Sequence, residues 1–260
     1  MKIGVLGLGR MGRSIADHLA TEHDVLRNDP ALGLHDELSA VDVLVTVLPG
    51  PSAFADAEPL LHALRPEATW LDLSSNDPRV ATRLASSIRA RSVAAPMSGG
   101  PAAALAHTLH FTVGGSDEAV GTLLNLLGSY EVIGASVADA HAAKLLSNLL
   151  WFGQAVAAAE ALALGRRLGV PPEVLGPVLA AGAGGGRFLD DTVDALLADD
   201  DILDFGIDRV VEQLEILSDL ARETGAPFEV SAAVVQTYRD AQAHFGHGGE
   251  LLAARYIRSR

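Results

Sequence analysis

The first twelve residues restrict the fold more than any other part of the chain. Lys2 to Leu6 reads as a short buried strand, and it leads without a spacer into Gly7-Leu8-Gly9-Arg10-Met11-Gly12. That turn opens an amphipathic stretch from about Met11 to Ala20. Strand, glycine-rich turn and helix in this order form the start of a βαβ unit. The first glycine turns the chain, the second admits close approach to the backbone, and the third lets helix and strand pack together. A helix N-terminus at that point offers N–H donors and a partial positive charge, which suits the pyrophosphate of a dinucleotide. Gly7, Leu8, Gly9, Arg10, Met11 and Gly12 are therefore the candidate cofactor-binding turn.

The alternation continues. Asp24 to Arg27 reads as a second strand, and Val41 to Leu48 as a strong one stopped by Pro49-Gly50-Pro51. Thr69 to Leu73, Ser92 to Ala95 and Leu109 to Val113 follow, the last ended by Gly114-Gly115. Strands separated by helix-length segments predict a parallel sheet with crossover helices on both faces. Past about Gly134 the character changes. Ala140 to Leu168 is rich in Ala and Leu and apolar almost all round, the mark of a helix buried on most sides. Gly169 and Pro171-Pro172 end it. Further helices are predicted over Glu173–Ala181, Phe188–Leu197, Ile207–Thr224 and Glu229–His244, with Gly182 to Gly186 as a hinge or substrate-side loop. The expected fold class is α/β: a doubly wound, mostly parallel Rossmann sheet over residues 1–135, followed by an all-α domain over residues 136–260.

Bulk chemistry narrows the partners. Apolar residues make up 49% and charged residues 20%, enough for a real core. A formal charge of −14 disfavours nucleic acid and anionic lipid as general partners, while local donors can still hold a small anion. No apolar stretch approaches the roughly 20 residues of a spanning helix, and Arg10, Arg13 and four glycines interrupt any signal-like N-terminus. With no cysteine there is neither disulfide nor thiol chemistry, so a cytoplasmic location is expected. Among nine histidines, no pair has the company of a metal site; His107 and His110 are three apart without an acidic or Cys neighbour. No metal is expected. So apolar a helical half is expected to bury a face on another subunit, giving a homodimer or homotetramer.

Cofactor choice is read at the end of the second strand, where an acid usually meets the ribose hydroxyls. The segment here is Arg27-Asn28-Asp29-Pro30. Arg27 can pair with a 2′-phosphate in a bidentate manner, which with Asn28 favours NADP. NAD stays possible, since Asp29 is itself a candidate for the acid in a shorter second strand.

Lys144 stands out for a separate reason. The chain has two lysines, Lys2 and Lys144, against seventeen arginines. Where a plain positive charge suffices, this sequence uses arginine. A group that must release and regain a proton cannot be arginine, whereas a buried lysine can do so. Lys144 lies mid-helix between Ala142-Ala143 and Leu145-Leu146, and Asn148 falls four residues on, on the same helix face.

Five blocks, in order along the whole chain, resemble the β-hydroxyacid dehydrogenases, relatives of 6-phosphogluconate and 3-hydroxyisobutyrate dehydrogenases. They are Gly7 to Gly12 with the later Leu48-Pro49; Asp72-Leu73-Ser74-Ser75 with Pro78; Ala95-Pro96-Met97-Ser98-Gly99-Gly100; Val113-Gly114-Gly115; and Lys144-Leu145-Leu146-Ser147-Asn148. The resemblance implies hydride transfer between a nicotinamide and a β-hydroxy acid or the matching aldehyde or keto acid. It implies Lys144 as general acid/base, Asn148 as the substrate-orienting residue, and Ser98 with Gly99 and Gly100 around the substrate carboxylate. Leu48, Pro49 and Ser75 would line the cofactor. The match frays in the helix after Phe205-Gly206-Ile207-Asp208. Glu212-Gln213 stands where the family usually has Lys-Asp, and Arg209, one turn earlier, is placed to compensate. Ala138-Asp139-Ala140 also replaces the usual Gly-x-Gly before the lysine. Two other readings stay open: imine reductase-like C=N reduction on the same scaffold, and a non-catalytic NADP-binding sensor or scaffold.

Overall fold

The computed structural model describes every residue except Asp36 and Ser39, and for Leu34 and His35 the backbone alone. The first half alternates as expected: β1 (Lys2–Leu6), α1 (Arg10–Leu19), β2 (Asp24–Asp29), β3 (Leu34–His35), β4 (Val43–Thr46), α2 (Phe54–His62), β5 (Thr69–Asp72) and α3 (Pro78–Ser87). It continues with β6 (Arg91–Ala94), β7 (Met97–Ser98), α4 (Pro101–Ala106), β8 (Leu109–Gly114), α5 (Glu118–Leu127) and β9 (Gly128–Gly134). Every residue of β4 and of β5 is buried, as in a sheet covered on both faces. Successive side chains then serve different cores. Ile3, Val5, Val43, Val45 and Leu71 join Ile15 and Leu19 of α1 and Leu123 of α5. Leu6, Leu44 and Trp70 join Phe54 and Leu61 of α2 and Leu84 of α3. That is the two-residue period of a strand, written into two hydrophobic layers.

Strands β2, β1, β4, β5 and β6 lie side by side in that order, all parallel. The parallel expectation fails at the margins, where β3 pairs antiparallel with β2, and β6 and β7 pair antiparallel with β8. Strand β2 reaches Asp29, two residues beyond the sequence reading. Strand β9, which the sequence reading omits, runs parallel to β8. Its five central residues are all exposed, so neither face carries the apolar alternation by which a strand is recognised.

The rest is helical: α6 (Val137–Arg167), α7 (Pro172–Ala181), α8 (Arg187–Ala198), α9 (Ile207–Thr224), α10 (Glu229–Phe245) and the unanticipated short α11 (Leu252–Arg258). Two compact units divide at Leu145/Leu146, inside α6, whereas the sequence reading divides the chain at 135/136. The first turns of α6 belong with the sheet: Val137 and Ala140 pack on Ala81 and Ala94. Contrary to the sequence reading, α6 is long and apolar enough to cross a bilayer by length and composition alone. In the helical unit, however, its Phe152 and Val156 pack with Val210, Leu214 and Tyr238, and its Ala155, Ala159 and Leu162 with Phe188 and Leu196. These are the contacts of a core helix.

Tyr238 of α10 is fully buried, and its hydroxyl donates to the Glu250 carbonyl at 2.9 Å. Burial, reinforced by the charge of Glu250, holds its phenol well above the usual tyrosine range. Above pH ~10 an unfolded tyrosine loses its proton while the native one keeps it, so stability must fall as pH rises, by up to about 1.4 kcal/mol per pH unit for this group. Tyr238→Phe is expected to cost about 1 kcal/mol at neutral pH through the lost hydrogen bond, yet to show a shallower decline above pH ~10. Urea midpoints between pH 8 and 11 test both effects.

Candidate active site

The order of strands reverses between β1 and β4, and in such sheets ligands bind beyond the carboxyl ends of the strands at that switch point. Both flanking loops are shaped for it. Gly7 has φ +93°, and a Cβ there would collide with the Val47 carbonyl. A Cβ on Gly12 would collide with the carbonyl of Gly7. Gly9, the N-cap of α1, has no atom within 4 Å of where a side chain would begin. It supplies no side-chain cap, and no acid occupies the first turn of the helix. A bare helix start with open space beside it fits a pyrophosphate, and Arg10, Met11 and Gly12 provide the first turn's N–H groups.

At the end of β2, Asp29 occupies the position that normally meets the ribose. Its Oδ2 accepts from Leu8 N at 2.7 Å and its Oδ1 from Ala31 N at 3.0 Å. Arg27, expected at a 2′-phosphate, instead places Nη1 2.6 Å from Asp17 Oδ1 of α1. Asn28 is buried, and its carbonyl accepts from Gly7 N at 2.9 Å. It therefore shapes the turn through its backbone.

The opposite wall depends on a buried network that the sequence reading missed. Asp72, at the end of β5, receives Thr46 Oγ1 and Ser74 N on Oδ1, both at 2.9 Å. Its Oδ2 receives Asn76 Nδ2 at 3.3 Å. Trp70 Nε1 donates to Thr46 Oγ1 at 3.0 Å. Ser74 then accepts from Leu48 N at 2.9 Å, which fixes Leu48-Pro49 beyond β4. The neighbouring Ser75 is half-buried. His141 of α6, fully buried, brings Nε2 to 3.2 Å from Asp72 Oδ2, off the line of a good hydrogen bond. Asp72 was visible in its sequence block, whereas His141 had no neighbour in sequence to mark it.

Ser98 ends β7, and Gly99 follows at φ +109°, where a Cβ would press on that of Ala103. Gly100, exposed, has open space beside it. The Lys144 ammonium donates to Ser98 Oγ at 3.0 Å, and both side chains are half-buried. The two residues proposed for proton transfer and for carboxylate binding, 46 positions apart, thus touch. In the helical unit, Asn148 Nδ2 donates to Oε1 of the buried Gln213 at 2.7 Å. Arg209 Nη1 donates to Glu212 at 3.0 Å, and its Nε lies 3.5 Å from Asp208 Oδ2. Among the described residues no cluster of three or more His, Cys, Asp or Glu has metal-binding geometry.

A family model described as the NAD binding domain of 6-phosphogluconate dehydrogenase matches residues 28–138. A second, described as NAD-binding of NADP-dependent 3-hydroxyisobutyrate dehydrogenase, matches residues 138–256. The chain belongs to the β-hydroxyacid dehydrogenase family. As a member, it is an NAD(P)-dependent dehydrogenase acting on CH–OH groups. The mitochondrial 3-hydroxyisobutyrate dehydrogenase of Bos taurus is 28% identical over 278 aligned residues, covering 91% of this chain and 80% of the relative. In fold, the dehydrogenase resembles the Mycobacterium tuberculosis 3-hydroxyisobutyrate dehydrogenase solved with L-serine (TM-score 0.88, 23% identity, 99% of both chains). It also resembles the Streptomyces aurantiacus imine reductase (TM-score 0.60, 18% identity, 99% of both chains).

Positioned general acid/base groups contribute about 10²–10⁴ in rate. Lys144→Ala of this dehydrogenase is therefore expected to lose at least about two orders of magnitude in kcat while cofactor affinity stays near normal. Lys144→Arg keeps the charge but cannot cycle the proton, and is expected to be almost as damaging. Steady-state kinetics alongside cofactor titration read both.

Proposed function

We propose that the enzyme interconverts a small β-hydroxy acid and its aldehyde or keto acid, with Lys144 moving the proton on the reacting oxygen. The contact between Lys144 Nζ and Ser98 Oγ carries this reading. It places a proton-transferring amine beside a hydroxyl followed by two glycines, and exposed N–H groups with a hydroxyl suit a carboxylate. A nicotinamide supplies the hydride acceptor. In the oxidative direction the neutral amine of Lys144 takes the proton from the carbinol oxygen as the C–H electron pair leaves; in reduction its ammonium returns it. Ser98, Gly99 and Gly100 hold the carboxylate, and Asn148 orients the reacting carbon. Turnover of a panel of β-hydroxy acids, compared with reduction of cyclic imines, tests the assignment. Faster turnover of imines would transfer it to the C=N class, and tight cofactor binding without turnover on either panel would leave a sensor.

The geometry at β2 supports NAD as the preferred cofactor, although Arg27 and Asn28 in the sequence favoured NADP. Asp29 stands at the strand end, and its carboxylate beside Leu8 N meets ribose hydroxyls well but repels a 2′-phosphate. Arg27, the cation that a 2′-phosphate would need, is engaged by Asp17. The expected outcome is a kcat/KM at least about tenfold higher for NAD⁺ than for NADP⁺, equivalent to about 1.4 kcal/mol. Equal values, or a preference for NADP⁺, would reject it.

A homodimer or homotetramer is supported by one stripe along α6. Leu146, Leu150 and Leu164 of α6, with Leu168 just past its end, recur at helical spacing and are all exposed in the single chain. Four leucines on one helix face are more apolar surface than a lone helix normally leaves in water. Light scattering on the eluting protein at micromolar concentration is expected to give at least twice the 27.0 kDa chain mass. A monomer peak would contradict it.

A further inference from the structure

The departure at Glu212-Gln213 removes a cation and an anion from a place where the resemblance implies both. The structure shows what stands there instead. Glu212 is satisfied by Arg209 on its own helix. Gln213 is buried at 4% exposure and uses its carbonyl, not its amide nitrogen, to meet Asn148. A terminal carboxamide such as that of Asn148 is nearly symmetric in shape and can turn end for end. Whichever group accepts from Nδ2 decides which end is donor and which is acceptor. At 2.7 Å the Gln213 carbonyl takes one of the two Nδ2 hydrogens, so the second hydrogen and Oδ1 are presented in a fixed order.

We propose that Gln213 is a positioning residue that sets the orientation of the Asn148 carboxamide and does so without adding charge. This rests on the reading of Asn148 as the residue that orients the substrate. A carboxylate at 213 would accept the same hydrogen, so the direction it sets does not depend on its charge. The amide gives the same direction at no electrostatic cost.

Two near-isosteric variants separate direction from packing. Gln213→Glu keeps an oxygen facing Asn148, whereas Gln213→Met fills the same space with no hydrogen-bonding group of comparable strength. The first readout is independent of activity. The chain has four asparagines, Asn28, Asn76, Asn125 and Asn148, so selective ¹⁵N-asparagine labelling gives a sparse spectrum in which Asn148→Ala assigns the side-chain signal. In the wild type and in Gln213→Glu, the Asn148 amide protons are expected to stay shifted and slow to exchange; in Gln213→Met they should move toward solvent-exposed values. The second readout is kinetic. Gln213→Met is expected to lose about 10–100-fold in kcat/KM for the hydroxy acid, the range of one buried partner removed. Cofactor Kd and Tm should remain near wild type, and Gln213→Glu should recover to within about threefold of the wild type.

The proposal is overturned if Gln213→Met leaves the Asn148 signal unchanged, if Gln213→Glu falls as far as Gln213→Met, or if cofactor affinity falls in step with turnover. A wild type that turns over no hydroxy acid would instead overturn the functional reading, and the spectrum would still decide the pairing.

Discussion

Burying a carboxyl group costs free energy unless donors meet its oxygens, and Asp72 is 1% exposed at the carboxyl end of β5. Its donors come from structures that must be aligned for the site to exist. Thr46 ends β4, Ser74 begins the loop that holds Leu48, and Asn76 lies just before α3. His141 faces the same carboxylate from the second turn of α6, three residues before Lys144. The ends of two central strands, the wall beside the cofactor turn and the start of the helix bearing the amine are therefore all referred to one side chain. The Trp70 indole, donating to Thr46 from within the sheet, ties this network to the hydrophobic layer beneath. Each buried hydrogen bond left unmade would carry a desolvation cost, so Thr46, Ser74 and Asn76 all turn a donor to the carboxylate.

How much of this was legible in the sequence follows from the range of each signal. The sheet and the long helix announce themselves through local periodicity, so β4, β5 and α6 were found within a few residues, and α9 at its ends. The glycine turn is equally local, because Gly7 and Gly12 are required by contacts with residues a few positions away or on the next strand. Strand β9 escaped because its central residues face solvent and carry no alternation. Strands β3 and β7 escaped because two residues make no pattern. Ser98 and Lys144 were named separately, one from its block and one from the rarity of lysine, and only folding brings them to 3.0 Å. The pairs Arg27–Asp17, His141–Asp72 and Asn148–Gln213 are ten to 69 positions apart, and no spacing rule reaches across such gaps. Arg27 reads in the sequence as a phosphate ligand, and in the fold its guanidinium meets Asp17 of α1.

A chain with a formal charge of −14 must still attract an anionic cofactor and, on the reading favoured above, an anionic substrate. It meets that demand largely with neutral donors. The helix start after Gly9, the glycines after Ser98 and the carboxamide of Asn148 present N–H groups fixed by the backbone or by a partner. Fixed dipoles of this kind need little reorganisation when charge moves during a reaction. Within their own units, Arg27 is paired with Asp17 and Arg209 with Glu212. In a medium of low effective dielectric, an unpaired charge beside an amine would bias its proton by a large amount. On that reading, the proton that accompanies hydride transfer is carried by the one lysine of α6, 3.0 Å from the Ser98 hydroxyl.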